Sequence, residues 1–129
     1  MTDIPSCLTG PVIEAHRGDS ACAPENTLAA FKRARDMRAS WIELDVQQTR
    51  DREIIVMHDP TVDRTTDGEG RVEDLILADL KRLDAGAWFG DAFMGESVPT
   101  LAEVADLVGD STTRLNVEVK AAGFEPSEA

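Results

Sequence analysis

Apolar and polar positions alternate along three short segments of the chain. The segments are residues 11–16, 41–46 and 114–120. In the middle one Ile42 and Leu44 share one parity, and Glu43 and Asp45 share the other. Successive side chains of a β-strand project to opposite faces, so this alternation is typical of a strand with one buried face. We therefore predict three strands, each with an apolar face that packs on helices and a polar face opposite.

Helical spacing follows the first predicted strand. Asn26 or Thr27 is a good N-cap for a helix that ends near residues 37–39, before Trp41 opens the second strand. A strand, a helix and a strand joined by short links form the βαβ pattern, in which the strands are parallel and the crossover is right-handed. The first third of the chain therefore predicts an α/β fold.

The remaining pattern predicts a hairpin, two further helices and two loops. Residues 54–57 are an apolar run that returns after a polar turn and ends at His58. A short leucine-rich helix is expected to end at Gly86, and a longer helix begins at Thr100, which forms a capping box with Glu103. The predicted loops are residues 61–70 and 85–98.

Composition narrows the class of protein. A chain of 129 residues, with 42% hydrophobic and 29% charged residues, is typical of one globular domain. Its net charge of −12 argues against a nucleic-acid partner and an anionic membrane surface, because both favour basic patches. The sequence has no apolar run of ~20 residues, no basic apolar leader in residues 1–10, and two lone cysteines, Cys7 and Cys22. We expect a cytoplasmic protein without a membrane span.

Titratable side chains lie on the polar faces, toward the carboxyl ends of the predicted strands. His16 ends the first strand, Glu43 and Asp45 lie in the second, and Glu118 lies in the third. In parallel α/β folds the ligand site forms beyond the carboxyl ends of the strands. Three strands that deliver acids and a histidine to one place predict a functional site rather than a solvated surface.

These residues also belong to a set of ordered motifs. They are HRG at 16–18, PENT at 24–27, ELD at 43–45, HD at 58–59, WF at 88–89, VPTL at 98–101 and NVEVK at 116–120. In this order the motifs resemble the glycerophosphodiester phosphodiesterase family, over nearly the whole chain. The resemblance implies a TIM-type (β/α)8 barrel, of which this chain covers about the first three strands and a hairpin insertion. It also implies metal-dependent hydrolysis of glycerophosphodiesters to an alcohol and glycerol 3-phosphate.

The resemblance places the family's metal ligands at Glu43, Asp45 and Glu118. Three carboxylates without clustered cysteine or histidine ligands favour one hard divalent cation, Mg²⁺ or Ca²⁺, over zinc. Considered by itself, Glu118 would be interpreted as a surface glutamate on an edge strand. Its parity with Asn116 and Lys120 favours the site instead.

The resemblance further assigns His16 and His58 as the catalytic acid–base pair and Arg17 as a phosphate-binding residue. Imidazole, with an ordinary pKa of ~6.5, takes and gives protons near neutrality. The planar fork of arginine suits two-point contact with a phosphodiester. Lys120 is either a second phosphate-binding cation or a solvated lysine at the end of its strand. Considered alone, His58 would be interpreted as a structural histidine.

The length of the chain sets a further expectation, because a TIM barrel typically has ~250 residues. We expect residues 1–10 to be a lead-in, 11–120 the N-terminal part of the phosphodiesterase domain, and 121–129 an irregular tail. Three explanations are open: a truncated or frameshifted reading frame, a fragment completed by another chain, and a small self-standing relative; we favour truncation. Exposed barrel edges then favour self-association, and we expect weak or absent activity of this chain.

Two alternative functions remain. One is a truncated non-catalytic fragment, or an assembly module that keeps the metal site as a structural clamp. The other is a sphingomyelinase-type phospholipase, which ranks lower because such enzymes are usually secreted. In the main interpretation the partner is a small glycerophosphodiester and the process is lipid or phosphodiester metabolism.

Overall fold

The structure is a computed structural model, and it describes residues 14–120. In chain order its elements are β1 (Glu14–His16), α1 (Leu28–Asp36), β2 (Trp41–Gln48), β3 (Ile54–Val56), α2 (Leu77–Leu80), α3 (Leu101–Val108) and β4 (Arg114–Val119), with short 3-10 turns at Val72–Asp74 and Asp91–Phe93. The predicted lead-in, the first three residues of the first predicted strand and the predicted tail lie outside the described residues. Within the described range, none of the helices has the length and apolar character needed to cross a membrane.

β2 is the central strand of the sheet. On one edge, β4 pairs in parallel with residues 41–46 of β2. On the other edge, β1 pairs in parallel with residues 41–43, and β3 pairs antiparallel with residues 46–48. The predicted parallel βαβ unit and the predicted hairpin are therefore confirmed. A further consequence is that β1 and β3 lie end to end along the same edge of β2.

The apolar face of β2 forms the centre of the main core. Ile42, Leu44 and Val46 are almost completely buried and pack with Phe31 of α1 and Val104 of α3. Burial of each such aliphatic side chain contributes roughly 1.5–3 kcal/mol. The strand thus keeps its register because a shift by one residue would place Glu43 or Asp45 in this core.

A second core lies under the hairpin and the long connection that follows it. Ile55 of β3 packs with Leu80 of α2 and with Val98, and Val62 and Val72 complete the contact. This cluster fixes the segment after His58 against the sheet.

Two element boundaries differ from the sequence prediction. β2 continues to Gln48, because its last residues pair with the returning strand. α2 ends at Leu80 rather than near Gly86, so that prediction was wrong. The Asp84 carboxylate accepts hydrogen bonds from the backbone N–H groups of Gly86 and Ala87 at 2.9 Å, and such local bonds compete with helical ones.

Candidate metal and acid–base site

Three carboxylates converge on the polar face of the sheet. In the parallel register Asp45 of β2 lies opposite Glu118 of β4, and Glu43 precedes Asp45 by two residues on the same face. One ligand oxygen from each of the three lies within 4.8 Å of the others. The Asp45 side chain is 1% exposed and that of Glu118 is 57% exposed, so the cluster runs from the interior to the surface.

The negative charge of Glu43 is only weakly compensated in this cluster. Burial, followed by the nearby negative charge of Asp45, raises the pKa of the Glu43 carboxyl group. Within residues 14–120, its Oε1 atom is buried and accepts no hydrogen bond. Three oxygen donors, one of them buried and unpartnered, fit a hard divalent cation such as Mg²⁺ or Ca²⁺.

Asp45 has polar neighbours on several sides. Asn26 Nδ2 donates a hydrogen bond to its Oδ2 atom at 3.1 Å. Arg17 Nε lies 3.6 Å from Oδ2, and Lys120 Nζ lies 3.6 Å from Oδ1. Lys120 also donates to Glu118 at 3.1 Å. The structure thus places both predicted phosphate-binding cations beside the predicted metal ligands.

A tight turn after β1 brings Arg17 to this position. Arg17 and Asn26 have φ angles of 58° and 56°, in the left-handed region. The Arg17 N–H donates to the Glu43 carbonyl oxygen at 2.7 Å, and the Asn26 N–H donates to the Arg17 carbonyl oxygen at 2.9 Å. The two strained residues are therefore locked to β2 and to each other. Arg17 Nη1 also contacts the Glu25 carboxylate at 3.2 Å.

His16 lies at the carboxyl end of β1 beside the carboxylates. Its Nε2 atom is 3.6 Å from Glu43 Oε1, and its side chain is largely exposed. An imidazole in this position is accessible to solvent and ligand, and in its charged form it offsets the charge of Glu43.

His58 is oriented by its neighbour in the chain. Its Nδ1 atom lies 2.8 Å from Asp59 Oδ1. Arg64, and then His58, hold the pKa of the Asp59 carboxyl at about 2. Asp59 is therefore ionised and accepts only, so Nδ1 carries the proton and Nε2 is the atom available for proton transfer.

The two histidines approach along one edge of β2. The Arg17 N–H, just after His16, donates to the Glu43 carbonyl oxygen, and the Met57 N–H, just before His58, donates to the Asp45 carbonyl oxygen. These two acceptors are two residues apart on the same strand. β1 and β3 thus bring both histidines to the metal-ligand segment from opposite directions.

A small, solvent-open hollow, with a cavity volume of about 10 Å³, is lined in part by His58. Glu25, Asn26 and Thr65 line its polar side, and its apolar side includes Met57 and Val98. The aromatic residues of the WF motif instead make contacts within their own loop, at residues 85–98. Trp88 donates to the Ala85 carbonyl oxygen, and its ring contacts Phe89 edge to face.

Several polar residues of the site were missed by the sequence patterns. Thr27 is the N-cap of α1, so Asn26 is free to bind Asp45. The Gln47 amide donates to the carbonyl oxygens of Met57 and Asp59 at 2.8 and 2.6 Å and holds the backbone on both sides of His58. Gln47 continues the parity of Glu43 and Asp45, and a longer predicted strand would have identified it.

Comparisons with known proteins all lead to one family. The model of the glycerophosphoryl diester phosphodiesterase family matches residues 16–128. The chain is 56% identical to a glycerophosphodiester phosphodiesterase of Caldanaerobacter subterraneus over 109 residues, which are 84% of this chain and 45% of that protein. It is 39% identical to human glycerophosphodiester phosphodiesterase 1, over 98% of this chain and 41% of the human protein.

Solved structures show the same relation. An Oleispira antarctica phosphodiesterase, determined in complex with the product sn-glycerol-3-phosphate, matches with a TM-score of 0.82 and 41% identity, over 91% of this chain and 47% of that one. A glycerophosphodiester phosphodiesterase of Agrobacterium tumefaciens matches with a TM-score of 0.74 and 42% identity, over 81% of this chain and 46% of that one. These neighbours are TIM barrels, so the predicted fold class is confirmed. The chain spans about half the length of these proteins, or somewhat less.

Proposed function

The chain belongs to the glycerophosphoryl diester phosphodiesterase family, and on that premise we propose that its site hydrolyses glycerophosphodiesters to an alcohol and glycerol 3-phosphate. The observation that carries the proposal is the convergence of Glu43, Asp45 and Glu118 within 4.8 Å. Arg17, Lys120 and His16 each lie 3.6 Å from a carboxylate oxygen of this cluster. The product bound to the Oleispira antarctica relative supports the same product for this chain.

Glu43, Asp45 and Glu118 are the proposed ligands of one divalent cation, Mg²⁺ or Ca²⁺. Such a cation supplies Lewis-acid polarisation of a phosphoryl oxygen when it is bound. Arg17 and Lys120 lie 3.6 Å from the two oxygens of Asp45 and are proposed to bind the substrate phosphate. Their charges favour a phosphodiester in a chain that is strongly acidic overall.

His16 and His58 are the proposed acid–base pair. One takes the proton of the attacking glycerol hydroxyl or water, and the other gives a proton to the leaving alcohol oxygen. For His58 the exchanging atom is Nε2, because Asp59 holds Nδ1. Both imidazoles are partly exposed and therefore accessible to a substrate, and His16 lies 3.6 Å from Glu43.

Release of glycerol 3-phosphate from glycerophosphocholine tests this function. We expect chelation to abolish whatever release the chain supports, Mg²⁺ or Ca²⁺ to restore it, and Glu43→Ala to remove it. Asp106→Ala, which removes an exposed acid of α3, is the matched control and keeps the activity. Loss of release in both variants, or release by Glu43→Ala, would contradict the assignment.

The rate of this chain is a separate prediction. The described residues supply three parallel strands of a fold that has eight, and phosphodiester hydrolysis needs groups placed on the scale of an ångström. We predict weak or absent turnover by the 129-residue chain. The Caldanaerobacter relative is the positive control in the same assay, and an equal rate would refute this prediction.

A non-catalytic role as a metal-clamped assembly module is the second candidate. The observation that favours it is the exposed apolar face of β4, where Val117 and Val119 are 36% and 59% exposed. This face also supports the proposed self-association. The proposed location is the cytoplasm, and the proposed process is lipid or phosphodiester metabolism.

Thermal unfolding separates the two candidates. Binding of a cation to the folded state alone raises the midpoint of unfolding. We expect Mg²⁺ or Ca²⁺ to raise the midpoint of the wild type and of Asp106→Asn by several degrees, and to leave that of Glu118→Gln unchanged. A rise without turnover favours the module. An equal rise in all three proteins, or with NaCl at equal ionic strength, would contradict a specific cation site.

A further inference from the structure

Arg64 lies in the loop that follows His58, and its guanidinium group bridges two carboxylates. Nη1 and Nη2 donate to the two oxygens of Glu25 at 3.1 and 2.9 Å. Nε and Nη2 donate to the two oxygens of Asp59 at 2.8 and 3.0 Å. Each carboxylate is therefore held at two points. This geometry needs the planar fork of arginine, which lysine lacks.

Each of these carboxylates also holds a residue of the proposed site. Glu25 accepts a hydrogen bond from Arg17, and Asp59 contacts Nδ1 of His58. A continuous path of charged contacts thus runs from Arg17 through Glu25, Arg64 and Asp59 to His58. It joins the turn after β1 to the segment after β3.

The hydrogen bonds along this path stabilise the charged forms of both Arg64 and Asp59. Hydrogen bonds to Asp59 and then Glu25 raise the pKa of Arg64, and Asp59 has a pKa of about 2. Arg64 is 46% exposed, and an isolated ion pair at such a position contributes little to stability. Four hydrogen bonds from one rigid group have a different consequence, because they restrict the geometry of both carboxylates.

We propose that Arg64 is a positioning residue: it holds Asp59 and Glu25 in place so that His58 keeps its Nδ1–H tautomer and Arg17 keeps its position beside Asp45. This role rests on the proposed function, in which Nε2 of His58 transfers a proton and Arg17 binds phosphate. Arg64 acts through these residues and not on the substrate.

The tautomer of His58 is measurable without turnover. Nitrogen-15 NMR of the 129-residue chain distinguishes protonated from unprotonated ring nitrogens, and a His16→Gln variant assigns the two histidine signals. In the wild type we expect the Nδ1–H form of His58 to dominate. In Arg64→Ala the ratio of the Nδ1–H form to the Nε2–H form falls about tenfold, as expected when one charge-assisted hydrogen bond loses its support.

Arg71→Ala is the matched control, because it removes an exposed arginine that pairs with Glu73 farther along the same loop. It leaves the His58 spectrum unchanged. Arg64→Lys keeps the charge and loses the fork, so it lowers the ratio less than Arg64→Ala does. An unchanged His58 spectrum in Arg64→Lys and in folded Arg64→Ala overturns the proposal, and so does an equal change in Arg71→Ala.

Activity separates this proposal from the proposed function. Where the wild type releases glycerol 3-phosphate, kcat/KM falls about tenfold in Arg64→Ala, and an unchanged kcat/KM overturns the positioning role. Where the wild type releases none, which agrees with the prediction of weak or absent turnover by this chain, the activity assay does not bear on Arg64. The NMR comparison then decides the role of Arg64 by itself.

Discussion

At the scale of single residues, Asp59 accepts hydrogen bonds from Arg64 and contacts the ring of His58. These contacts lower its pKa from 3.8 to about 2 in the folded chain. In the unfolded chain Asp59 titrates near its ordinary value, so between these two values the unfolded state binds a proton that the folded state does not. The contribution of Asp59 to stability is therefore present above about pH 5 and is lost as the pH falls to about 2.

An Asp59→Asn variant tests this dependence. At neutral pH we expect its free energy of unfolding to be lower than that of the wild type by about 1 kcal/mol, a value reduced by solvent screening at the half-exposed Arg64. The difference shrinks toward zero as the pH falls to about 2. Urea unfolding at a series of pH values measures it, with Asp106→Asn as control. A difference that stays constant with pH would contradict an origin in the ionised Asp59 carboxylate.

Single residues also show how far the sequence predicts the site. Strand parity alone predicts that Glu43, Asp45 and Glu118 share a face, because side-chain direction in a strand is local. The partners of Arg64 depend on how two loops meet, and Glu25 is 39 residues away in the chain. No periodic pattern encodes such a contact. The residues on strands were therefore predictable from parity, and the contacts of Arg64 were not.

At the scale of elements, α1 is tied at its start to distant parts of the chain. Thr27 caps it locally, by accepting a hydrogen bond from the Ala30 N–H. The carboxylate of Glu96 accepts from the Ala29 N–H at 3.0 Å. A negative group at a helix N-terminus is favourable. The start of α1 was predicted from Thr27. The second cap, Glu96, lies in the loop at residues 85–98, and no local sequence pattern indicates it.

Gly18 fixes the packing of this helix against the turn after β1. Its φ angle is 83°, and an added Cβ would lie 2.8 Å from both the carbonyl carbon and the Cβ of Ala30. Gly70 has a φ angle of 116°, but an added Cβ there meets no described residue within 4 Å. The two glycines therefore separate backbone strain from collision with the helix.

We predict that Gly18→Ala lowers the free energy of unfolding by about 2–4 kcal/mol, and Gly70→Ala by about 1 kcal/mol. The larger loss arises because α1 must move away from the turn that carries Arg17. Urea unfolding of both variants at neutral pH measures the difference. Equal losses of unfolding free energy in the two variants would show that the positive φ angle alone requires glycine at position 18. Contact between α1 and the turn would then contribute nothing.

At the scale of the whole molecule, the two edges of β2 are filled differently. One edge holds β1 and β3 end to end, and the other holds β4, which within residues 14–120 pairs only with β2. Leu115 at the start of β4 packs on the main core, whereas Val119 at its end is 59% exposed. An exposed apolar strand at a sheet edge is a template for pairing with another chain.

We therefore predict that the 129-residue chain self-associates through β4 as its concentration rises. Val119→Lys weakens this association at least severalfold, because a lysine at an edge must be desolvated before another strand pairs. Met94→Lys is the matched control: it adds the same charge at an equally exposed apolar side chain in the loop before α3. Sedimentation velocity over a concentration series measures the result. A wild type that stays monomeric, or a Met94→Lys variant that dissociates as readily as Val119→Lys, would exclude β4 as the contact.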